Sequence, residues 1–268
     1  MKKNFTKTLG ILCMLMSLQS ILPAQEQEET REPLVSISTG LDIVSSYIWR
    51  SIDYGNSPAI QPYMALSVGN FEFTAWGSYA LIAQQEVETK TISDVEPFEE
   101  VTSTKNVPFT EIDLIARYDI ETSIGTFSPE VTDFYYPYLN QRYSDFRGDG
   151  EGQHWINAAL KYRGTEKFPI MLTLDYAAHN DVDKPVYFEA GYPFSIGESE
   201  ISIFAGVGKG KEKSDLYGLE NDKIGFVNAG ISFAREIKIT NDFSLPVSTS
   251  FMMNPNASKA FLVFKISL

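Results

Sequence analysis

The sequence has no long apolar run beyond its N-terminal segment, and it is poor in cysteine, histidine and positive charge. A membrane-spanning helix needs about 18 apolar residues, and with a mean hydropathy of -0.14 transmembrane helices are excluded. The lone cysteine, Cys13, falls within the N-terminal segment, so neither a disulfide nor a thiolate metal site is expected. The formal net charge of -13 repels phosphates, which argues against nucleic acid as a partner.

The N-terminal segment itself has the pattern of a secretory signal peptide. A basic start is followed by a largely apolar stretch over 11–22 and by Ala24, a small residue suited to cleavage. Polar residues interrupt the apolar stretch, which is too short to span a membrane as a helix. We therefore expect a signal peptide over 1–24 and a mature, exported chain over 25–268.

The mature chain consists of about twelve short segments in which apolar and polar residues alternate. Within 112–120 every charge falls on one parity and the other parity is apolar or aromatic, and the pattern recurs in 170–176, 186–194 and 261–268. A period of two with one charge-free face predicts strands of an outer-membrane β-barrel. The predicted fold class is an all-β, transmembrane, antiparallel up-and-down barrel.

The connections between these segments alternate in length, as they do in bacterial barrels. The short ones are 69–70, 121–125, 164–167, 197–199 and 236–242. The longer ones are 51–58, 84–107, 140–152, 179–184, 209–223 and 253–258. The alternation predicts an even number of strands, about twelve, with both termini on the periplasmic side.

Aromatic residues on the presumed outward parity gather near both ends of the strands, where rings meet lipid headgroups. Near the short turns they are Phe71, Tyr118, Tyr162, Phe168, Tyr192, Phe194, Phe233 and Phe243. Near the long loops they are Trp49, Tyr79, Tyr136, Tyr138, Tyr176 and Phe251. The alternative is a soluble β-sandwich or a lipocalin-like barrel, in which the apolar face would be turned inward.

Several short motifs occur in an order that resembles a known family, the TorF-type porins of the outer membrane, first catalogued as a conserved domain of unknown function. The motifs are 42–50, 58–62, 76–78, 111–113, 133–137 and 187–192. The chain departs from the family at Ser51, where a glycine is usual, and at Leu268, where phenylalanine is usual. The resemblance implies a porin without an established substrate, assembled by periplasmic chaperones and the barrel-insertion machinery.

Charges on the inward parity would face the lumen, and they form a mixed set with an acidic excess. The predicted pore-lining residues are Asp42, Arg50, Glu72, Asp113, Arg117, Asp119, Asp133, Lys161, Asp175, Glu189 and Lys265. In one interpretation acidic rings favour cations among the small solutes that diffuse through the pore. In the other, Asp113, Arg117 and Asp119 pair across strands with Lys161, Arg163 and Lys265, and these charges satisfy one another and close the lumen.

Two other functional classes stay open at this stage. In an outer-membrane hydrolase, His179 with Asp181 or Asp183 could act as a general base, with His154 nearby on the rim. In a structural or adhesive barrel, the acidic loop over 84–105 would be the contact surface. A barrel of that kind differs from a porin in having no conductance.

The external loops contain one further acidic segment among glycines. Asp145, Asp149 and Glu151 could offer oxygen ligands to calcium, but their spacing does not match the EF-hand loop. We assign no catalytic residue, no metal site and no cofactor from the sequence, and we do not expect an enzyme.

Overall fold

A computed structural model describes residues 35–92, 100–139, 142–210, 217, 219 and 223–268. The predicted signal peptide and the middle of the 84–107 connection lie outside the described residues. The strands are β1 Val35–Val44, β2 Ile48–Trp49, β3 Ile52–Asp53, β4 Ala59–Val68, β5 Phe71–Ile92, β6 Glu100–Tyr118, β7 Ile120–Thr122, β8 Gly125–Tyr135, β9 His154–Gly164, β10 Met171–His179, β11 Val186–Ile196, β12 Ser199–Lys209, β13 Ile224–Lys238, β14 Ser244–Asn254 and β15 Lys259–Ser267. A single 3-10 turn covers Pro137–Leu139, and no helix in the described part of the chain is long and apolar enough to cross a membrane.

The strands close into an antiparallel barrel in which neighbours in sequence are neighbours in the wall. β1 pairs with β15, where Asp42 lies opposite Ser267, and this pairing closes the ring. β7 continues β6 along β8, so the wall has 12 strands, as the sequence predicted. β2 and β3 pair only with each other and lie outside the wall. The seam pairs Leu41–Val44 of β1 with the end of β15. Joining the first strand to the last is the main structural requirement for a barrel in lipid.

The outward face of the wall is apolar and the inward face is polar or small. On β1, Ile37 is 69% exposed whereas Val44, on the opposite parity, is 5% exposed. Apolar side chains are exposed all around the wall, among them Met64, Phe71, Leu160, Leu174, Phe188, Ile203, Phe226, Leu262 and Phe264. This orientation is the reverse of a lipocalin-like barrel or a β-sandwich, whose apolar faces enclose a core.

The two ends of the barrel differ, as the alternating connections predicted. One end, here the turn end, has the tight connections at 69–70, 123–124, 165–170, 197–198 and 239–243. Gly69 and Gly197 have φ of 57° and 63° there, a conformation that favours glycine. The opposite end, here the loop end, has the longer connections and lies where β1 leads into residues 45–58.

Three details of the sequence prediction are wrong. The first strand ends at Val44, well before the predicted connection over 51–58, because residues 45–58 turn into the barrel. The connection predicted over 84–107 is largely strand, since β5 and β6 stay paired as far as Ile92 and Glu100. Among the predicted outer aromatics, Trp49, Tyr136 and Tyr138 pack instead against a buried cluster at the loop end.

Candidate functional site

The segment 45–58, here the inserted hairpin, places the short β2–β3 ladder inside the barrel. Its turn residues Arg50 and Ser51 have φ of 50° and 57°. Two successive residues with positive φ form the type I′ turn that suits a two-residue hairpin, and glycine is favoured at its second position. Ser51 occupies that position, which gives a structural reason for the glycine usual in the family that the sequence resembles.

The hairpin contacts opposite parts of the wall. Ile48 is buried in a cluster with Met252 of β14 and Val263 of β15. The Ser51 hydroxyl donates a 2.6 Å hydrogen bond to Oδ1 of Asn228 on β13, and both residues are buried. A buried polar group costs free energy unless it is paired, so this bond fixes the turn against the wall.

Arg50, at the tip of the hairpin, carries the densest set of contacts. Its guanidinium forms a two-pronged ion pair with Asp175 of β10, at 3.1 and 3.2 Å, and donates to the Tyr217 hydroxyl at 2.8 Å. It also lies 4.1 Å from the ring centroid of Trp49 and 4.0 Å from that of Tyr187. Burial opposes the charge, but Tyr217 and Asp175 outweigh it, and the pKa of Arg50 is raised. The hairpin is thus anchored across the lumen.

An aromatic cluster occupies the other side of the loop end. Tyr47 lies 5.4 Å from Trp76 and 6.1 Å from Phe109, measured between ring centroids. Tyr54 of the hairpin is 5.4 Å from Phe109, and Tyr138 of the 3-10 turn is 5.1 Å from it. Aromatic rings at these separations attract one another beyond their area of contact, so the cluster holds hairpin, wall and loop together.

A cavity of about 140 Å³ remains between the hairpin, the wall and the loops. Glu111 of β6 lines it, and Asp113 follows two residues later on the same face. The two side chains are 2% and 0% exposed. Within the described residues, no donor reaches Oε2 of Glu111 or either oxygen of Asp113. Our sequence analysis selected Asp113 and missed Glu111, although the shared parity was a signal that could have found it.

Ion pairs occupy much of the remaining inward face. Arg117 lies 3.3 Å from Glu72 and 3.2 Å from Asp119. Lys161 lies 2.6 Å from Glu130, a partner that sequence analysis did not name. Across the β1–β15 seam, Lys265 lies 3.3 Å from Asp42, and on β11 Glu189 accepts hydrogen bonds from Tyr187 and Asn228. Mutual pairing therefore accounts for most of the predicted inward charges. Asp113 is the exception, and it shares this position with Glu111, which was not predicted.

Comparison with known proteins places the chain in a family. The family model described as "Bacterial protein of unknown function (Gcw_chp)" matches residues 28–242, which cover the inserted hairpin and most of the wall. The chain belongs to the Gcw_chp family. No curated protein matches it.

In this Gcw_chp protein, Asp133 does not lie where the sequence predicted. Phe134 is on the inward parity, whereas Asp133 faces outward with Val131 and pairs in register with Ile156. Nδ1 of His154 lies 2.9 Å from both carboxylate oxygens of Asp133. The parity predicted for this strand was off by one residue, since Glu130, Thr132 and Phe134 are the buried positions. His154 supplies the partner that the outward carboxylate needs.

The two histidines of the Gcw_chp protein attach the 142–153 loop to the wall. His154 is stacked on Phe146 with 3.8 Å between ring centroids, and its Nε2 donates to the carbonyl of Tyr143. Nε2 of His179 lies 3.1 Å from the carbonyl of Phe146. These contacts give both rings a structural role in the loop, apart from any general-base chemistry.

The acidic residues of that loop are engaged by Arg147. The guanidinium lies 2.7 Å from Asp145 and 3.2 Å from Glu151, and it holds the pKa of the Asp145 carboxyl down at about 2. An arginine thus occupies the position between two of the carboxylates that were considered as calcium ligands. In the described part of the chain, no group of three or more histidine, cysteine or acidic side chains is arranged to hold a metal ion.

Proposed function

We propose that this Gcw_chp protein is an outer-membrane porin of narrow bore that lets small solutes diffuse passively. The observation that carries the proposal is the combination of an apolar outer belt with a polar inner face in one closed barrel. Lipid tails can cover the belt, while the inner face can hold water and solutes. The resemblance to TorF-type porins and the predicted signal peptide support this location. The resemblance also implies assembly by periplasmic chaperones and the barrel-insertion machinery.

The inserted hairpin sets the size limit in this proposal. Barrels of about eight strands are filled by side chains, and those of 16 or more enclose an aqueous channel, so a 12-strand barrel falls between them. At the loop end the hairpin contacts β10 through Arg50 and β13 through Ser51, which narrows the passage further. Solutes larger than a few non-hydrogen atoms would have to displace the hairpin.

Single-channel recording tests the proposal directly. The mature chain is refolded into a planar lipid bilayer, and current is measured with and without a salt gradient. Discrete steps of small conductance are expected, with a reversal potential on the cation-selective side because the unpaired inward groups are acidic. The matched variant lacks 46–56, bridged by a short glycine-serine turn, and should give larger steps. A folded barrel that stays silent in both forms contradicts the porin function.

One observation favours a second candidate, a structural or adhesive barrel. The loop end is occupied by an anchored hairpin and an aromatic cluster, and the β5–β6 pair extends as far as Ile92 and Glu100. A projecting hairpin of this kind is suited to contact a partner surface. Silence of both the complete chain and the hairpin-deleted variant, with normal folding, would support this candidate.

A further inference from the structure

The cavity at the loop end combines aromatic walls with carboxylates. Rings from the hairpin, Trp49 and Tyr54, and from the wall, Phe134 and Trp155, line it together with Glu111. Aromatic faces attract cations, and tryptophan and tyrosine do so most strongly. Glu111 itself is almost fully buried, which strengthens any charge interaction at its carboxylate.

The charge balance of the cavity leaves acidic groups over. Asp175 also lines it but is already paired with Arg50. Glu111 is 2% exposed and accepts a hydrogen bond from the Tyr47 hydroxyl. Within the described residues, however, no donor reaches its Oε2 or either carboxylate oxygen of the neighbouring Asp113. A buried carboxylate without a partner is costly, so a group that brings both positive charge and N–H donors would be stabilised here.

We propose that this cavity binds a small primary alkylammonium ion, with the ammonium at Glu111 and the alkyl part against the aromatic walls. A primary ammonium supplies the hydrogen-bond donors that Oε2 lacks, which a quaternary ammonium cannot do. A cavity of about 140 Å³ is close in size to one that holds a benzene-sized molecule. The inference rests on the proposed function in that the site would select among solutes that enter the barrel.

The test is binding by the refolded mature chain in detergent micelles, with n-butylammonium, n-butanol and butyrate as probes of matched size. Trp49 and Trp155 line the cavity, so tryptophan fluorescence reports occupancy, and calorimetry gives the affinity. Butylammonium should bind about tenfold or more tightly than butanol, and butyrate should bind most weakly, because a charged hydrogen bond is at stake. Equal binding of butylammonium and butanol would overturn the inference.

Glu111→Gln provides the second measurement, since it keeps the volume of the side chain and removes its charge. It should weaken butylammonium binding about ten- to a hundredfold and leave butanol binding unchanged. The control is Glu88→Gln, on an exposed part of β5, which should change neither. A Glu111→Gln barrel that binds butylammonium as tightly as the wild type does contradicts the proposal. If that variant fails to fold, the comparison of butylammonium with butanol on the wild type still tests whether the site binds an ammonium.

The binding and conductance experiments separate the two proposals. A barrel that conducts but does not distinguish butylammonium from butanol retains the porin function and loses this site. A barrel that binds butylammonium through Glu111 but shows no current retains the site and loses the porin function.

Discussion

The anchoring of the inserted hairpin by Arg50 leads to a prediction about Asp175→Asn. The substitution keeps the size of the side chain and the oxygen that accepts a hydrogen bond from Asn157, but it removes the negative charge that faces Arg50. Arg50 then keeps its hydrogen bond to Tyr217 and its two ring contacts, and loses its counterion. The hairpin should leave the lumen more often while the wall stays folded.

The size of the effect follows from the burial of the pair. Removing one partner of a buried ion pair costs about 3–5 kcal/mol. The side chains of Arg50 and Asp175 are 12% and 9% exposed, which places this pair near the lower value, about 3 kcal/mol. Since about 1.4 kcal/mol corresponds to a factor of ten, the population with a released hairpin should rise about a hundredfold.

Limited digestion with trypsin measures that population, because cleavage of a transiently opened segment follows its equilibrium fraction. Cleavage after Arg50 produces a fragment that begins at Ser51, which mass spectrometry identifies among the products of exposed sites. The control is Glu72→Gln, which weakens the ion pair with Arg117 at the turn end. Equal rates of cleavage at Arg50 in the wild type and in Asp175→Asn, or equal increases in both variants, would refute the anchoring role.

Three further predictions concern the turn, the outer belt and the 142–153 loop. Ser51→Gly removes about 1 kcal/mol of left-handed strain but deprives Asn228 of its donor, a loss of about 1–3 kcal/mol. The urea midpoint of unfolding of the Ser51→Gly variant should therefore fall. A higher midpoint would show that the hydrogen bond from Ser51 to Asn228 does not stabilise the turn. Leu174→Lys puts a charge on the exposed apolar belt and should lower the free energy of unfolding in lipid by about 2–4 kcal/mol. An unchanged free energy of unfolding in vesicles would show that no lipid covers this face. Asp145 has its pKa lowered to about 2, so its contact with Arg147 is complete above the ordinary pKa of about 3.9 and is lost as pH falls through about 2. A carboxyl NMR titration checks this value, and Arg147→Gln should raise it.

The wall of the barrel could be predicted because its determinants are local. Whether a strand residue faces outward depends on its parity, and in 170–176 or 186–194 the apolar and polar parities are unambiguous. Tight connections such as 69–70 and 197–198 require glycine or asparagine within the turn itself. Both signals are confirmed in the structure, and together they determine strand order and closure.

The inserted hairpin could not be predicted from the same signals. Tyr47, Ile48 and Trp49 read as the end of β1, and the two serines before them include no glycine or proline that would mark a departure from the wall. Its partners, Asp175 and Asn228, lie more than a hundred residues away in sequence. The one local signal was the position of Ser51, where the TorF-type sequences that this chain resembles usually have a glycine, a residue that suits a left-handed turn.

The candidate site was found only in part for the same reason. Asp113 was selected by parity, but its significance comes from Glu111 beside it and from the absence of a cation among the described residues that face them. Asp133 was also assigned to the lumen by parity, but the parity predicted for its strand was off by one residue, and His154 on β9 gives it a partner on the outward face. A charge alone does not indicate a side of the wall when its counterpart comes from another strand.

By itself the sequence determined an all-β chain with one apolar face, in strands joined by alternately short and long connections, because the side chains of successive strand residues point to opposite faces. Tertiary structure alone decided what fills the barrel. A lumen is enclosed only after the last strand pairs with the first. Only then does the Arg50 guanidinium lie within 3.2 Å of both the Asp175 carboxylate and the Tyr217 hydroxyl. Which charges are paired, and which are left for a solute, follows from that closure.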